Sequence, residues 1–285
     1  MEVIHALQSV ASPALDRLML IVTQLGSQQA YVVLLLVTYI GVDARIGRRL
    51  AVYFLAGFYL NEQLKALFHT ERPFRIDPGV LRSQGALATA GGNGFPSGHA
   101  QGSTTFWGLA AAYGRRAWLT AAAVLLVAAI SLSRLYLGVH LPVDVIGGIL
   151  IGLAVLFAGL AIDRMRLEVP KAWVLLAGLA VPLAVHLLLP TPDSGVLLGA
   201  LAAFLVGPEL VPHATVGPWP SRALLSLLGL ALVFAVQLGS GALLAPDVRH
   251  LPLVSFVRYL LVGLTGTMLV PALGRAARLT PSLRS

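Results

Sequence analysis

The 285-residue chain is 57% hydrophobic and only 11% charged, where a soluble globular chain is nearer a quarter charged, so its composition points to a protein built in a bilayer. It has no cysteine, which excludes disulfides, thiolate metal sites and cysteine nucleophiles. Its net charge of +8 is not read as a nucleic-acid footprint, because the arginines fall in short loops between apolar runs, where membrane topology wants them.

Residues 1–25 are amphipathic, carry Glu2, Asp16 and Arg17, and have no apolar stretch of signal-peptide type. They read as one or two helices at the membrane interface, broken at Leu25-Gly26-Ser27, with an additional full span as the alternative. Nine apolar runs follow, at about 27–42, 48–69, 100–114, 117–138, 142–163, 171–189, 194–211, 221–244 and 252–273. A bilayer crossing takes roughly 20 residues, so the first and third runs require tilt or help from their neighbours. The fold class is all-α, a polytopic membrane helix bundle.

Charge orients that bundle. On one side lie Arg45, Arg48, Arg49, Arg115, Arg116, Arg164, Arg166 and Lys171, with Arg222, Arg275, Arg278 and Arg284. On the other lie Arg17, Arg72, Arg75, Arg82 and Arg249. The richer side is expected to face the cytoplasm. The poorer, outer side holds the longest loop, residues 70–98, and every cluster with chemical potential.

The first cluster is Lys65 near the outer end of its run, followed after six residues by Arg72-Pro73. Pro73 stops the helix and lets both cations point at one spot. A snorkelling lysine accounts equally for Lys65 taken alone. The second is Gly94-Phe95-Pro96-Ser97-Gly98-His99, opening the next helix. A helix N-terminus favours an anion; Gly98 lets backbone approach a ligand, Ser97 can donate a hydroxyl, and His99 can hold or deliver a proton. An ordinary capped helix start is the plainer reading. The third is Ser133-Arg134, then His140, then Asp144, with Pro142 suited to the first helical turn. Asp144 can reach back to one imidazole nitrogen of His140 and leave the other free to attack; a structural ion pair is the alternative.

Other polar residues fall inside apolar runs. Glu62 neutralises Lys65 one helical turn away. Asn61 is expected to face the bundle or a wet cavity, His186 and Gln237 read mainly as interhelical hydrogen-bond partners, and Arg258 as a partner for a carboxylate or a lipid headgroup. Phe106, Trp107 and Tyr136 suit packing or interface anchoring, with a slot for lipid tails as the other reading.

Three cations, a helix N-terminus, two histidines and a carboxylate on one face supply what phosphoryl transfer needs: positive charge for the equatorial oxygens, an in-line nucleophile and an acid for the leaving oxygen. The fixed positions Lys65, Arg72, Pro73, Pro96 to His99, Ser133, Arg134, His140 and Asp144 resemble the three-part signature of the type-2 phosphatidic acid phosphatase family, the lipid-phosphatase branch of a superfamily that includes vanadium haloperoxidases. The resemblance spans roughly residues 48–160 and shows no departure. It implies His140 as nucleophile, Asp144 as its orienter and His99 as acid and later base. It implies Lys65, Arg72, Ser97, Gly98 and Arg134 as the phosphate cradle, with no metal and no cofactor. It also implies a six-helix-type lipid phosphatase core. We place that core, with its N-terminal interfacial helices, at 1–165, and about four further membrane helices at 166–285.

The reading is a phosphatase of the bacterial inner (cytoplasmic) membrane with an outward-facing site, acting on a lipid phosphomonoester or diphosphate. Its partners are the lipid phosphate and the bilayer, not nucleic acid. A lipid phosphotransferase with the same phosphohistidine, and a transporter or scramblase with a secondary phosphatase core, are the alternatives. A haloperoxidase is disfavoured because those enzymes are soluble.

Overall fold

The computed structural model of the protein describes residues 1–279, so Arg284, assigned above to the cytoplasmic side, lies outside the described residues. In chain order the helices are α1 (Glu2–Gln8), α2 (Pro13–Gln24), α3 (Gln28–Val37), α4 (Ala44–Phe68), α5 (Pro73–Ile76), α6 (Gln84–Leu87), α7 (Gly98–Gly114) and α8 (Ala117–Tyr136). They continue with α9 (Pro142–Met165), α10 (Lys171–Leu188), α11 (Ser194–Leu210), α12 (Trp219–Leu243), α13 (Pro246–Arg249), α14 (Pro252–Leu264) and α15 (Val270–Ala276). The described residues contain no strand, and each of the nine apolar runs is helical. The protein is an all-α integral membrane helix bundle.

Among the described residues, five helices are long and apolar enough to cross a membrane: α8, α9, α10, α12 and the continuous stretch from Pro252 to Ala276. A sixth results if α2 and α3, broken at residues 25–27, form one span. Three expected runs miss this test for physical reasons. The 25-residue α4 carries Arg45, Arg48 and Arg49 at its start and Glu62 and Lys65 near its end. The 17-residue α11 is short, and α7, also 17 residues, buries Gln101, Ser103, Thr104 and Thr105 alongside apolar groups such as Phe106 and Leu109. Two of those hydroxyls return to their own helix, Ser103 and Thr104 both donating to the Ala100 carbonyl. On the long spans, Leu125, Phe157, Trp173 and Leu227 stay exposed, as side chains solvated by lipid do.

The chain forms two compact units, Met1–Tyr31 with Leu60–Arg166, and Val32–Tyr59 with Leu167 onward. In the first, α7 packs against both α8 and α9. Gly148 and Gly152 make that approach possible. A Cβ at Gly148 would lie 2.5 Å from the Ser97 carbonyl, and one at Gly152 would lie 2.8 Å from the Gln101 carbonyl. Small residues four apart let backbones meet where lipid offers no hydrophobic drive to association. The first helices are tied down, not loose on a surface. The Gln8 side-chain amide donates to the Val80 and Tyr136 carbonyls, at 2.7 Å each. Asp16 accepts from Arg82 at 2.9 Å and from the Tyr136 hydroxyl at 2.6 Å. Leu15, Met19 and Leu20 pack on a buried cluster of Ala86, Ala90, Tyr136, Leu137 and Val139.

In the second unit, α11 packs on α10 and α14. His186 sits between the Ser194 hydroxyl and the Pro252 carbonyl, 2.8 Å from each, which makes it an interhelical link as expected. Among the described residues the partners of Arg258 are not carboxylates. It donates to the Ser240 hydroxyl and the Gln237 carbonyl and lies over the Tyr259 ring.

Candidate active site

The helix that carries Lys65 is not stopped by Pro73: α4 already ends at Phe68, followed by His69 at φ +49°, and Arg72, in extended backbone, caps α5. The side chain is buried. Its Nε and Nη2 donate to the Gly92 and Gly91 carbonyls at 3.0 and 2.6 Å, and its Nη1 donates to the Val139 carbonyl at 2.9 Å. The same Nη1 lies 3.1 Å from Nε2 of His140. A guanidinium can only donate, so this nitrogen of His140 is the acceptor, and its lone pair points at Arg72. The ring proton is then on Nδ1, 3.2 Å from Oδ2 of Asp144. The tautomer follows from two contacts on opposite sides of one ring.

Local backbone sets this up. Gly138, at φ +72°, turns the chain after α8, and a Cβ there would overlap the Val80 carbonyl. Pro142 opens α9, and Asp144 in its first turn also accepts from the Leu141 amide at 2.9 Å. That second bond holds the carboxylate on the side facing His140.

Backbone bonds stitch the other two clusters to this pair. The Ser97 amide donates to the Asp144 carbonyl at 2.9 Å. The Gly94 amide reaches the Thr70 carbonyl at 2.9 Å, and the Phe95 amide the Thr70 hydroxyl at 2.6 Å. Asn93 donates to the Lys65 carbonyl, and Asn61 donates to Gln101 at 2.6 Å. Ser97 is fully buried and caps α7 by accepting from the Ala100 amide, which leaves its own hydrogen to donate. Gly98 is the first residue of that helix and His99 the second, where amides lack intrahelical partners. Lys65 lies 3.4 Å from Glu62, the pairing expected one turn apart.

Arg134 is wholly buried. Its Nη1 donates to the hydroxyls of Thr23 and Thr89 at 2.7 Å each, and its Nη2 donates to the Thr89 carbonyl at 3.1 Å. Its Nε has no partner, and neither has Nε2 of His99, although both atoms are buried. Buried polar atoms are nearly always bonded, so these two atoms keep hydrogen-bonding capacity that the rest of the protein does not use.

Burial first, then the charges of Arg72, Arg134 and Lys65, hold the His140 imidazole well below the usual histidine range. The geometry thus brings Arg72, His140 and Asp144 into direct contact and Ser97 onto Asp144 through backbone. It puts Arg134, Lys65 and His99 within electrostatic reach of the same ring. Phe106 packs edge-on against Trp107 and near Tyr31, and Tyr136 is bound to Asp16; these are packing and hydrogen-bonding roles. Thr23, Thr70 and Thr89 escaped the reading of the sequence, since single threonines carry no periodic or spaced signal.

Comparison with known families fits this arrangement. The PAP2 superfamily model matches residues 47–168, which contain all eight expected site residues. A second model, PAP2 superfamily phosphatase, transmembrane extension, matches residues 193–282. The chain belongs to the PAP2 superfamily. A similar curated protein is the Escherichia coli (strain K12) protein named "Putative undecaprenyl-diphosphatase YbjG", 32% identical over 105 residues. That similarity covers 37% of this chain and 50% of the relative, so the chain spans about half the length of the curated relative it matches. No solved structure matches the chain significantly. The PAP2 match begins only at residue 47, so α1 to α3 lie outside both family models.

Proposed function

We propose that the protein is an integral membrane lipid phosphatase that hydrolyses a lipid phosphomonoester or diphosphate through a phosphohistidine on His140. The observation that carries this reading is the Arg72–His140–Asp144 chain, which leaves a neutral imidazole with its Nε2 lone pair among cations. A phosphate entering there meets Arg72, Arg134 and Lys65, the hydroxyl of Ser97 and the amides that open α7 at Gly98. Nε2 of His140 attacks the terminal phosphorus in line, the bond from that phosphorus to the leaving oxygen breaks (the ester oxygen of a monoester, the bridging oxygen of a diphosphate), and His99 gives that oxygen its proton. Arg72 releases Nε2 as the phosphorus arrives and turns its N–H to a phosphate oxygen. The ring becomes positive on phosphorylation, and the Asp144 carboxylate stabilises that charge. Water then attacks the phosphorus, His99 accepts its proton, the P–N bond breaks and inorganic phosphate leaves.

The cations in this scheme are side chains, so the reaction needs no metal. Among the described residues no three His, Asp or Glu groups gather as a ligand set. The arginine asymmetry supports a site on the outer face of the cytoplasmic membrane. The experiment is phosphate release by the purified protein from a panel of lipid phosphates with no acceptor lipid present. The panel is undecaprenyl diphosphate, phosphatidate, phosphatidylglycerol phosphate and a sphingoid phosphate, and the name of the relative puts the first at its head. Hydrolysis of one of them is expected. Turnover only after an acceptor lipid is added would make the protein a phosphotransferase instead.

A further inference from the structure

Arg134 presents five N–H donors in one plane, and three are spent inside the protein. Thr89 takes two, one through its hydroxyl on Nη1 and one through its carbonyl on Nη2, so it bridges the far end of the guanidinium. Thr23 takes the remaining hydrogen of Nη1. What is left is the hydrogen on Nε and the adjacent one on Nη2. Those two run parallel and make the fork that fits two oxygens of a phosphate. The structure agrees with the count, since Nε is buried and unpartnered. A guanidinium on a long side chain has several ways to turn, and here three hydrogen bonds favour the one that leaves this edge unused.

We infer that Thr23 and Thr89 are positioning residues, which set the plane of Arg134 so that its Nε–Nη2 edge meets the phosphate, and that α2 is thereby a working part of the active site. The inference rests on the phosphatase reading for the identity of the oxyanion, and it extends the site into a segment that neither family model covers. Two further observations put that segment at the site. Thr23 is fully buried, one residue from the end of α2. In the turn that follows, a Cβ on Gly26 would stand 3.1 Å from the ring carbon Cδ2 of His99 and 2.7 Å from Ile130. The end of α2 therefore touches both the cation that receives the phosphate and the histidine that protonates the leaving oxygen. It is anchored against sliding by the Asp16–Arg82 pair and the Tyr136 hydroxyl.

The test uses the full chain in detergent and orthovanadate as the probe, with binding measured by titration calorimetry and turnover measured separately. Thr23→Val keeps the shape and removes the acceptor, which frees Arg134 to rotate. Vanadate binding is expected to weaken roughly 10-fold, with kcat/KM falling in parallel, as for loss of a hydrogen bond to a charged group. Thr23→Ser restores the acceptor and is expected to bind within about 2-fold of wild type. Thr89→Val, which keeps the carbonyl, is expected to weaken binding in the same direction. A threonine that mattered only for folding would lower the active fraction and leave the vanadate affinity of the remainder unchanged. Wild-type affinity in Thr23→Val, or equal losses in Thr23→Val and Thr23→Ser, overturns the inference, as does failure of wild type to bind vanadate. If wild type binds vanadate and the Thr23 variants change its affinity as stated while no lipid phosphate is hydrolysed, the proposed function falls and the positioning role stands.

Discussion

Asp144→Asn isolates charge from geometry. In wild type a single oxygen, Oδ2, accepts both the Nδ1–H of His140 and the Leu141 amide. An asparagine oxygen in that place can keep both bonds, so the ring stays aimed while the negative charge is gone. Attack by Nε2 places positive charge on a ring that is 1% exposed, as is the carboxylate itself. At the 3.2 Å between Nδ1 and Oδ2, and an effective dielectric of about 20, a full charge on the ring would be stabilised by about 5 kcal/mol. With about half of that charge developed in the transition state, the loss is about 2.5 kcal/mol, or roughly 10²-fold in the phosphorylation rate. The phosphate cradle is untouched, so vanadate affinity should change less than about 3-fold. Rapid-quench labelling with a phosphorus-labelled substrate gives the rate, and calorimetry gives the affinity. A wild-type labelling rate in Asp144→Asn would refute the charge argument. A loss of vanadate affinity as large as the loss of rate would move Asp144 from the nucleophile to the cradle.

The two histidines should separate. His140→Ala forms no acid-labile, base-stable adduct from any substrate. His99→Ala still labels from an activated aryl phosphate while losing about 10²–10⁴-fold on a lipid substrate, whose leaving oxygen needs a proton. Activity should survive excess EDTA, and its loss in chelator with recovery in magnesium would contradict cradling by side chains alone. Because His140 in the free enzyme is held well below the usual value of about 6.5, it stays neutral as pH falls through that range. The acid limb of kcat/KM, corrected for substrate ionisation, should therefore lie below pH 6.5, and a limb at or above it would show that the buried ring is protonated more easily than its surroundings allow. For topology, a cysteine at the exposed Gln84 should react with an impermeant reagent in intact cells and one at the exposed Glu168 should not; the reverse pattern inverts the orientation.

The sequence by itself determined the solvent and the fold class, and it named the residues from which the proposed site is built. Composition and run length are one-dimensional quantities, and a helix is a local object, so nine apolar runs could be read as helices without knowing their neighbours. The three clusters were legible for the same reason. Each is a short stretch in which a proline stands close to charged or titratable residues at a helix end. Tertiary structure decided what those residues do to one another. Which nitrogen of His140 is bare depends on Arg72, which lies 68 positions away. How Arg134 is turned depends on Thr23 and Thr89, which are 111 and 45 positions distant. Such contacts leave no period and no spacing in the chain, because they are set by helices packing through glycines such as Gly148 and Gly152. Residues 1–25 carried the same limit. Their amphipathic pattern predicted an interfacial helix, but their seat against Arg134 and His99 follows only from the groove that the packed helices offer them.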